Sequence, residues 1–183
     1  MNPEEVLRSI EREAPVRGLP IIGPERGVFL DEVVISHSPK KILEIGTLVG
    51  YSAIRMARLI KGVSLTCIEV DGDIAGVARS NIDAAGLADR VEIIIGDAKK
   101  VIPEMAGTFD MVFIDARKEE YLSYLKACER LLGPGSVVVA DNVKVFAKEM
   151  SDYLKYVRGS GEYASEYKEA PSGGDAIEVS VKV

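Results

Sequence analysis

The sequence predicts an α/β fold, a doubly wound parallel sheet with helices on both faces and an antiparallel hairpin at its C-terminal end. Three observations carry that prediction. From Lys41 onward, short apolar runs alternate with helical stretches, as in a parallel sheet buried on both sides. Two glycines, Gly46 and Gly50, follow the first apolar run. The residues closing five successive strands are polar (Glu44, Glu69, Asp97, Asp115, and Asp141 with Asn142), and ligands of such sheets bind beyond the carboxyl ends of the strands. With 183 residues, 47% hydrophobic and 28% charged, the chain suits one domain with a full core rather than two. Residues 1–38 form a helical cap region and 40–183 the sheet core.

Taken in order, Asn2-Pro3-Glu4-Glu5 reads as a helix start, with Asn as cap and Glu5 closing a capping box. Val6, Leu7 and Ile10 give that helix one apolar side, and Pro15 to Pro24 is expected to break structure. A second helix is expected over Glu25–Ser36, with Val28, Phe29, Val33 and Val34 at helical spacing. Strands follow at Ile42–Ile45, Ser64–Val70, Val91–Ile95, Phe109–Ile114 and Ser136–Ala140. Helices are expected between them at Ser52–Ile60, Asp73–Ala85, Lys99–Pro103 and Glu119–Leu132. In the last, Leu122, Leu125, Cys128 and Leu132 mark one face, and Gly133-Pro134-Gly135 stops it. A final helix near Lys148–Val157 precedes a hairpin of Glu162–Lys168 and Ala176–Val183, joined through Pro171-Ser172-Gly173-Gly174.

Charge narrows the partners. The formal net charge is −6, whereas affinity for nucleic acid is dominated by contacts of basic groups with phosphate. A small-molecule partner is therefore expected. No apolar run reaches the roughly 18–20 residues of a membrane helix, and the acidic N-terminus does not resemble a signal peptide, so a cytoplasmic location is expected. Cys67 and Cys128 fall on apolar patterns and read as reduced core residues. His37, the single histidine, reads as a surface residue.

The segment Leu43 to Ala53 runs from the first strand into the next helix. Gly46 and Gly50 allow a tight turn and close approach of a ligand. The helix N-terminus and the Ser52 hydroxyl suit a carboxylate. The spacing is GxxxG, neither the GxGxxG of dinucleotide binders nor a P-loop. Glu69 stands where such folds place an acid on the ribose hydroxyls, with Asp71 as a competitor. Asp97, in Gly96-Asp97-Ala98, suits an adenine edge. A carboxylate binder, a ribose acid and an adenine contact together fit S-adenosylmethionine.

At these residues the sequence resembles the catechol O-methyltransferase family of metal-dependent class I methyltransferases. The resemblance rests on Leu43-Glu44-Ile45-Gly46 with Gly50 to Leu59, Asp110 to Asp115 with Lys118 and Tyr121-Leu122, Ala140-Asp141-Asn142-Val143, Val157 to Ser160, and Glu166-Tyr167. It implies a Rossmann-like methyltransferase sheet, with S-adenosylmethionine and a divalent metal, Mg²⁺, as cofactors. The implied metal ligands are Asp115, Asp141 and Asn142; the implied catalytic residues are Lys118 and Glu166, the latter bonding a substrate hydroxyl. Implied cofactor contacts fall on Ile22, Glu44, Gly46, Ser52, Glu69, Asp97 and Ala98; Gly50 of the turn and Asp115 complete the cofactor set. The sequence departs from the family's animal members at Gly18 and Arg117, where they carry tryptophans, and at Phe146, where they carry proline. The reaction type therefore carries over better than the acceptor.

The chemistry is coherent with these residues. Asp115, Asp141 and Asn142 offer oxygen ligands only, which selects a hard cation. A phenolic hydroxyl has a pKa of about 10, so it needs a cation and a base before it can attack a sulfonium methyl. The implied acceptor is a small catechol-like hydroxyl compound. Competing readings keep the fold with a tRNA hydroxyuridine as acceptor, replace the cofactor with a nicotinamide, or leave a non-catalytic binding module. Monomer and homodimer both remain open.

Overall fold

Asn2 starts the first helix by the expected reciprocal cap. Its side chain accepts from the Glu5 backbone N–H, and the Glu5 carboxylate accepts from that of Asn2. The structure, a computed structural model, describes residues 1–183. Helices α1 (Pro3–Arg17) and α2 (Gly23–His37) precede β1 (Lys41–Ile45), α3 (Tyr51–Ala57), β2 (Ser64–Glu69), α4 (Gly72–Ala84) and β3 (Val91–Ile95). Then come α5 (Ala98–Glu104), β4 (Phe109–Ile114), α6 (Tyr121–Cys128), β5 (Leu132–Asp141), α7 (Ser151–Gly159), β6 (Tyr163–Glu169) and β7 (Ala176–Lys182).

The seven strands lie in the order β3-β2-β1-β4-β5-β7-β6. β1 to β5 pair in parallel; β7 runs antiparallel to both β5 and β6. The order reverses between β1 and β4, so the tips of those strands flank the crevice where ligands enter such sheets. Alternate residues face opposite layers. Ile42, Met111, Phe113, Val137 and Val139 pack with α1 to α4, while Leu43, Ile45, Val112, Ile114, Val138 and Ala140 pack with α5 to α7. Burying each such side chain stabilises the fold by roughly 1.5–3 kcal/mol.

The cap is bonded to the sheet core through buried charges. Arg55 of α3, 8% exposed, donates to Asp31 of α2 at 2.9 Å, to the Gly27 carbonyl and to the Tyr51 hydroxyl. Arg58 joins Asp31 to Glu4 of α1, and Tyr51 donates to Glu11. The helical cap is thus tied to α3 on both of its helices.

Several boundaries differ from the sequence expectation. α1 runs through Pro15 to Arg17 at the loss of one intrahelical bond, and Gly18, at φ 63°, closes the end on the Ala14 carbonyl. In α2 the buried residues are Gly27, Leu30, Val33 and Val34, while Val28 is 48% exposed. α3 stops at Ala57, and the expected helix from Lys148 begins only at Ser151. Leu132 and the Gly133-Pro134-Gly135 segment belong to β5 rather than to a helix and its stop. The register jumps from Phe109 opposite Leu132 to Met111 opposite Val137, so the glycine-proline segment bulges out of the ladder, where proline is tolerated. α6 buries Tyr121, Tyr124, Leu125 and Cys128 and leaves Leu122 only half-buried. Both cysteines are free and buried, His37 is exposed, and no helix is long and apolar enough to cross a membrane.

Candidate active site

A cavity of about 660 Å³ opens at the carboxyl ends of β1, β2, β3 and β4. Its position follows from one close approach. Gly46 leaves β1 at φ 87°, and a Cβ placed there would lie 2.2 Å from the Asp115 carbonyl oxygen. Only glycine lets the cofactor turn and the tip of β4 touch. Gly46 donates to the Ile68 carbonyl and Asp115 to that of Ile45, both at 2.9 Å. The turn continues through Leu48, whose φ of 47° is also left-handed, to Gly50 at 83°.

Two acids organise this turn. Glu69, at the end of β2, accepts the backbone N–H groups of Thr47 at 3.2 Å and Leu48 at 2.9 Å, and also that of Asp71. Asp71 itself caps α4 through the N–H groups of Asp73 and Ile74, which leaves Glu69 as the strand-end acid facing the cavity. Glu44 is fully buried behind the turn and accepts from the Thr47 hydroxyl at 2.6 Å and from the Ser52 hydroxyl. Burial pushes its carboxyl up to about 7, against the lowering effect of those two hydroxyls. Asp97 caps α5 through the Lys99 N–H at 2.9 Å.

Across the cavity, Lys118 begins the short turn that follows β4. Its ammonium donates to Asp115 Oδ1 at 2.8 Å and to the Tyr121 hydroxyl at 2.9 Å. Tyr121 donates in turn to the Asp141 carbonyl at 3.2 Å. Burial, then Asp115, holds the Tyr121 phenol well above its usual pKa. The Phe146 ring lies 5.8 Å from the Lys118 nitrogen and is 37% exposed.

The strand tip of β5 carries Asp141 and Asn142. Asp141 is 1% exposed and receives Arg26 of α2 in a two-point contact, Nε to Oδ1 at 2.6 Å and Nη2 to Oδ2 at 3.0 Å. Burial and Asp115 push the Asp141 carboxyl up, while Arg26 opposes them. Asn142, at φ 67°, donates its side-chain Nδ2 to Asp175 Oδ2 at 2.7 Å, so its amide oxygen is the atom left free.

Of the residues expected from sequence, Ile22, Gly46, Ser52, Glu69, Asp97, Ala98, Asp115, Lys118 and Asn142 line this one cavity. Glu44 and Gly50 shape it from behind. Asp141 lies beneath Arg26, which does line it. Glu166 does not join them. It sits on the edge strand β6, paired across to Val179 of β7, and its exposed carboxylate meets Lys168 at 3.4 Å. In the ladder Asp141 stands opposite Ile177, and Ile177 opposite Lys168, which leaves Glu166 two residues short of the strand tips.

With the geometry in place, comparison with known proteins is direct. The family model described as O-methyltransferase matches residues 4–155. The chain belongs to the O-methyltransferase family. Catechol O-methyltransferase B of Danio rerio is 39% identical over 175 residues, covering 91% of this chain and 66% of that protein. Catechol O-methyltransferase of Niastella koreensis is 45% identical over 147 residues, covering 76% and 66%. The chain thus spans just under two thirds of the length of these relatives. An O-methyltransferase from Bacillus cereus, crystallised in complex with SAH, superposes with a TM-score of 0.86 at 28% identity, covering 98% of this chain and 91% of the other.

Within this O-methyltransferase site, sequence reasoning missed three residues. Arg26 and Asp175 meet the β5 tip only through tertiary contacts, 115 and 33 positions away from their partners. Tyr121 was visible as part of a motif, but nothing local announced that its hydroxyl would bridge Lys118 and the tip of β5.

Proposed function

We propose that the protein transfers the methyl group of S-adenosylmethionine to a hydroxyl oxygen of a small catechol-like acceptor, with a divalent cation, Mg²⁺, as cofactor. The observation that carries this reading is the position of Lys118. It is held by Asp115 and Tyr121 at the rim of the same cavity that the Gly46 turn closes. The family membership and the SAH complex of the Bacillus cereus protein support the cofactor.

S-adenosylmethionine brings an electrophilic methyl group on a sulfonium. Glu69 and the Asp97–Ala98 turn stand at the β2 and β3 ends of the cavity, placed for a nucleoside. The Gly46 turn and Ser52 stand at the β1 end, placed for the amino-acid part. Lys118 is the group able to take the acceptor proton. Ile22 and Pro20 line the cavity on the cap side, beside a reaction whose rate depends on alignment. Holding oxygen and methyl carbon in line contributes roughly 7–11 kcal/mol to such transfers.

The donor chemistry of the strand tips fits a hard cation. No three His, Cys, Asp or Glu side chains are grouped to hold a metal by themselves. Asp115 and Asn142 nevertheless line the same cavity, Asp141 precedes Asn142 at the β5 tip, and Asp175 takes the Asn142 nitrogen and leaves its oxygen. Asp115, Asp141 and Asn142 would hold the ion, and an ion there lowers the pKa of a hydroxyl bound to it.

The test is methyl transfer to a panel of catechols, with bulk tRNA as a parallel acceptor. Lys118→Ala is expected to lose about 10²–10⁴-fold in turnover while still binding S-adenosylhomocysteine. Exhaustive chelation is expected to abolish turnover without unfolding. Turnover near that of the unmodified protein after either treatment refutes the corresponding role, and methylation of tRNA alone would replace the small acceptor.

A further inference from the structure

Arg26 occupies a place that a metal-binding strand tip leaves unexplained. Its guanidinium takes both carboxylate oxygens of Asp141 and lines the cavity, while the Asp141 side chain is 1% exposed beneath it. Two parallel N–H to oxygen bonds are the strongest way an arginine holds a carboxylate. The charges are buried together, with the Arg26 side chain only 17% exposed. Burial alone would lower the Arg26 pKa, yet Asp141 and Asp175 together raise it, so the guanidinium stays charged.

The same guanidinium already has a second carboxylate within reach. Arg26 Nη1 lies 3.8 Å from Asp175 Oδ2, the oxygen that also takes the Asn142 amide. A small sidestep therefore moves Arg26 from Asp141 to Asp175 without leaving a charge unpaired, which a buried site does not tolerate. Both Asp141 oxygens are engaged by Arg26 until that sidestep occurs, and a dication and a guanidinium on one carboxylate repel each other.

We infer that Arg26 is a resident counter-cation of Asp141 that a divalent ion must displace toward Asp175, so that Arg26 sets the metal affinity of the site. This rests on the metal role proposed above. Arg26 is a positioning residue rather than a catalytic one: it acts through Asp141. It keeps the β5 tip neutralised when no metal is present, at the expense of affinity when metal arrives. Because Arg26 lies in the first turn of α2, four residues after Ile22, loading the strand tip also tugs on the segment that walls the cofactor cavity.

The experiment is titration of the whole protein with Mn²⁺ alone and with Mg²⁺ alone, followed by calorimetry and, for Mn²⁺, by loss of its free-ion resonance signal. Arg26→Ala removes the competitor; Arg26→Gln removes only its charge, keeps a donor for Asp141, and serves if the alanine variant folds poorly. Both are expected to bind metal more tightly by roughly 10- to 100-fold, the size of a charge-assisted hydrogen-bond pair, with Arg26→Lys in between. Asp175→Asn, which weakens the alternative berth, is expected to bind metal less tightly than the unmodified protein. Equal or weaker affinity in Arg26→Gln, with binding still abolished in Asp141→Asn, overturns the counter-cation role and leaves the metal site standing. Absence of binding in every form overturns the metal site and this inference with it.

Discussion

Replacing Gly46 by alanine tests the contact on which the whole site is built. Two separate costs are expected. The backbone at φ 87° is left-handed, and a β-carbon there costs about 1–2 kcal/mol. The new methyl would also sit 2.2 Å from the Asp115 carbonyl oxygen and 2.9 Å from its carbon. Those are backbone atoms that move only if the β4 tip moves, an overpacking cost of about 1–3 kcal/mol. The sum is roughly 2–5 kcal/mol, or roughly 4–20 °C in melting temperature for a chain of this size. Gly62→Ala separates the two terms, because Gly62 shares the left-handed φ of 83° but has nothing within 4 Å of its would-be Cβ. It should lose only the backbone part and keep its affinity for S-adenosylhomocysteine. Gly46→Ala should lose more stability and, with Asp115 pushed away from the turn, most of its cofactor affinity. Thermal unfolding and calorimetric titration of both variants decide the matter. If Gly46→Ala melts within about 1 °C of Gly62→Ala and binds cofactor as tightly, the close approach is not what shapes the site.

Two further outcomes follow from buried charge. Glu44 holds its proton up to about pH 7 in the folded chain, against 4.5 unfolded. The folded state therefore binds more protons between those values, and stability is full at the lower end and falls as pH rises through the window, by about 3 kcal/mol. Glu44→Gln lacks that loss, so urea unfolding at pH 4.5 and pH 8 should show the variant gaining on the unmodified protein by about that amount; a pH-independent difference would sink the argument. Asp31→Ala strips Arg55 and Arg58 of their shared carboxylate and should cost about 3–5 kcal/mol, read by urea unfolding. A loss below about 1 kcal/mol would show that water or Glu4 replaces the partner.

Legibility in the sequence followed the range of the interaction. β3 and β4 were readable to the residue because each is a short, mostly apolar run, interrupted only by the exposed Glu92 and Asp110, and such runs bounded by polar and glycine residues read as strands. The β5 boundary was not, because Leu132 satisfies a helical period from Leu125 and Cys128 and a strand period as well. Nothing local in Gly133-Pro134-Gly135 distinguishes a helix stop from a strand bulge; the pairing of Phe109 with Leu132 decides it. Within the site, residues at strand tips were legible because the fold itself brings tips together. Glu166 was placed by resemblance alone, on the strand whose register depends on a hairpin at the sheet edge, and there the expectation failed. Arg26 gave no signal at all. A charged residue in a helix start reads as solvated unless its distant carboxylate is known.

The hydrogen count around Lys118 shows why its neighbours matter more than its position. Tyr121 has one hydroxyl hydrogen, and the Asp141 carbonyl takes it. A carbonyl cannot donate, and a phenol kept neutral by burial retains that hydrogen, so Tyr121 can only accept from Lys118. Asp115 is likewise an acceptor. Two of the three positions on the Lys118 nitrogen are thereby committed to N–H bonds whichever way it is protonated. The third alone changes between a hydrogen and a lone pair, and under the proposed transfer it is the one that would meet an acceptor hydroxyl. A lysine held in this way by two acceptors offers its variable position in a fixed direction, which a lysine on the same rim with a single partner, such as the half-exposed Lys99 bound to Glu120, does not.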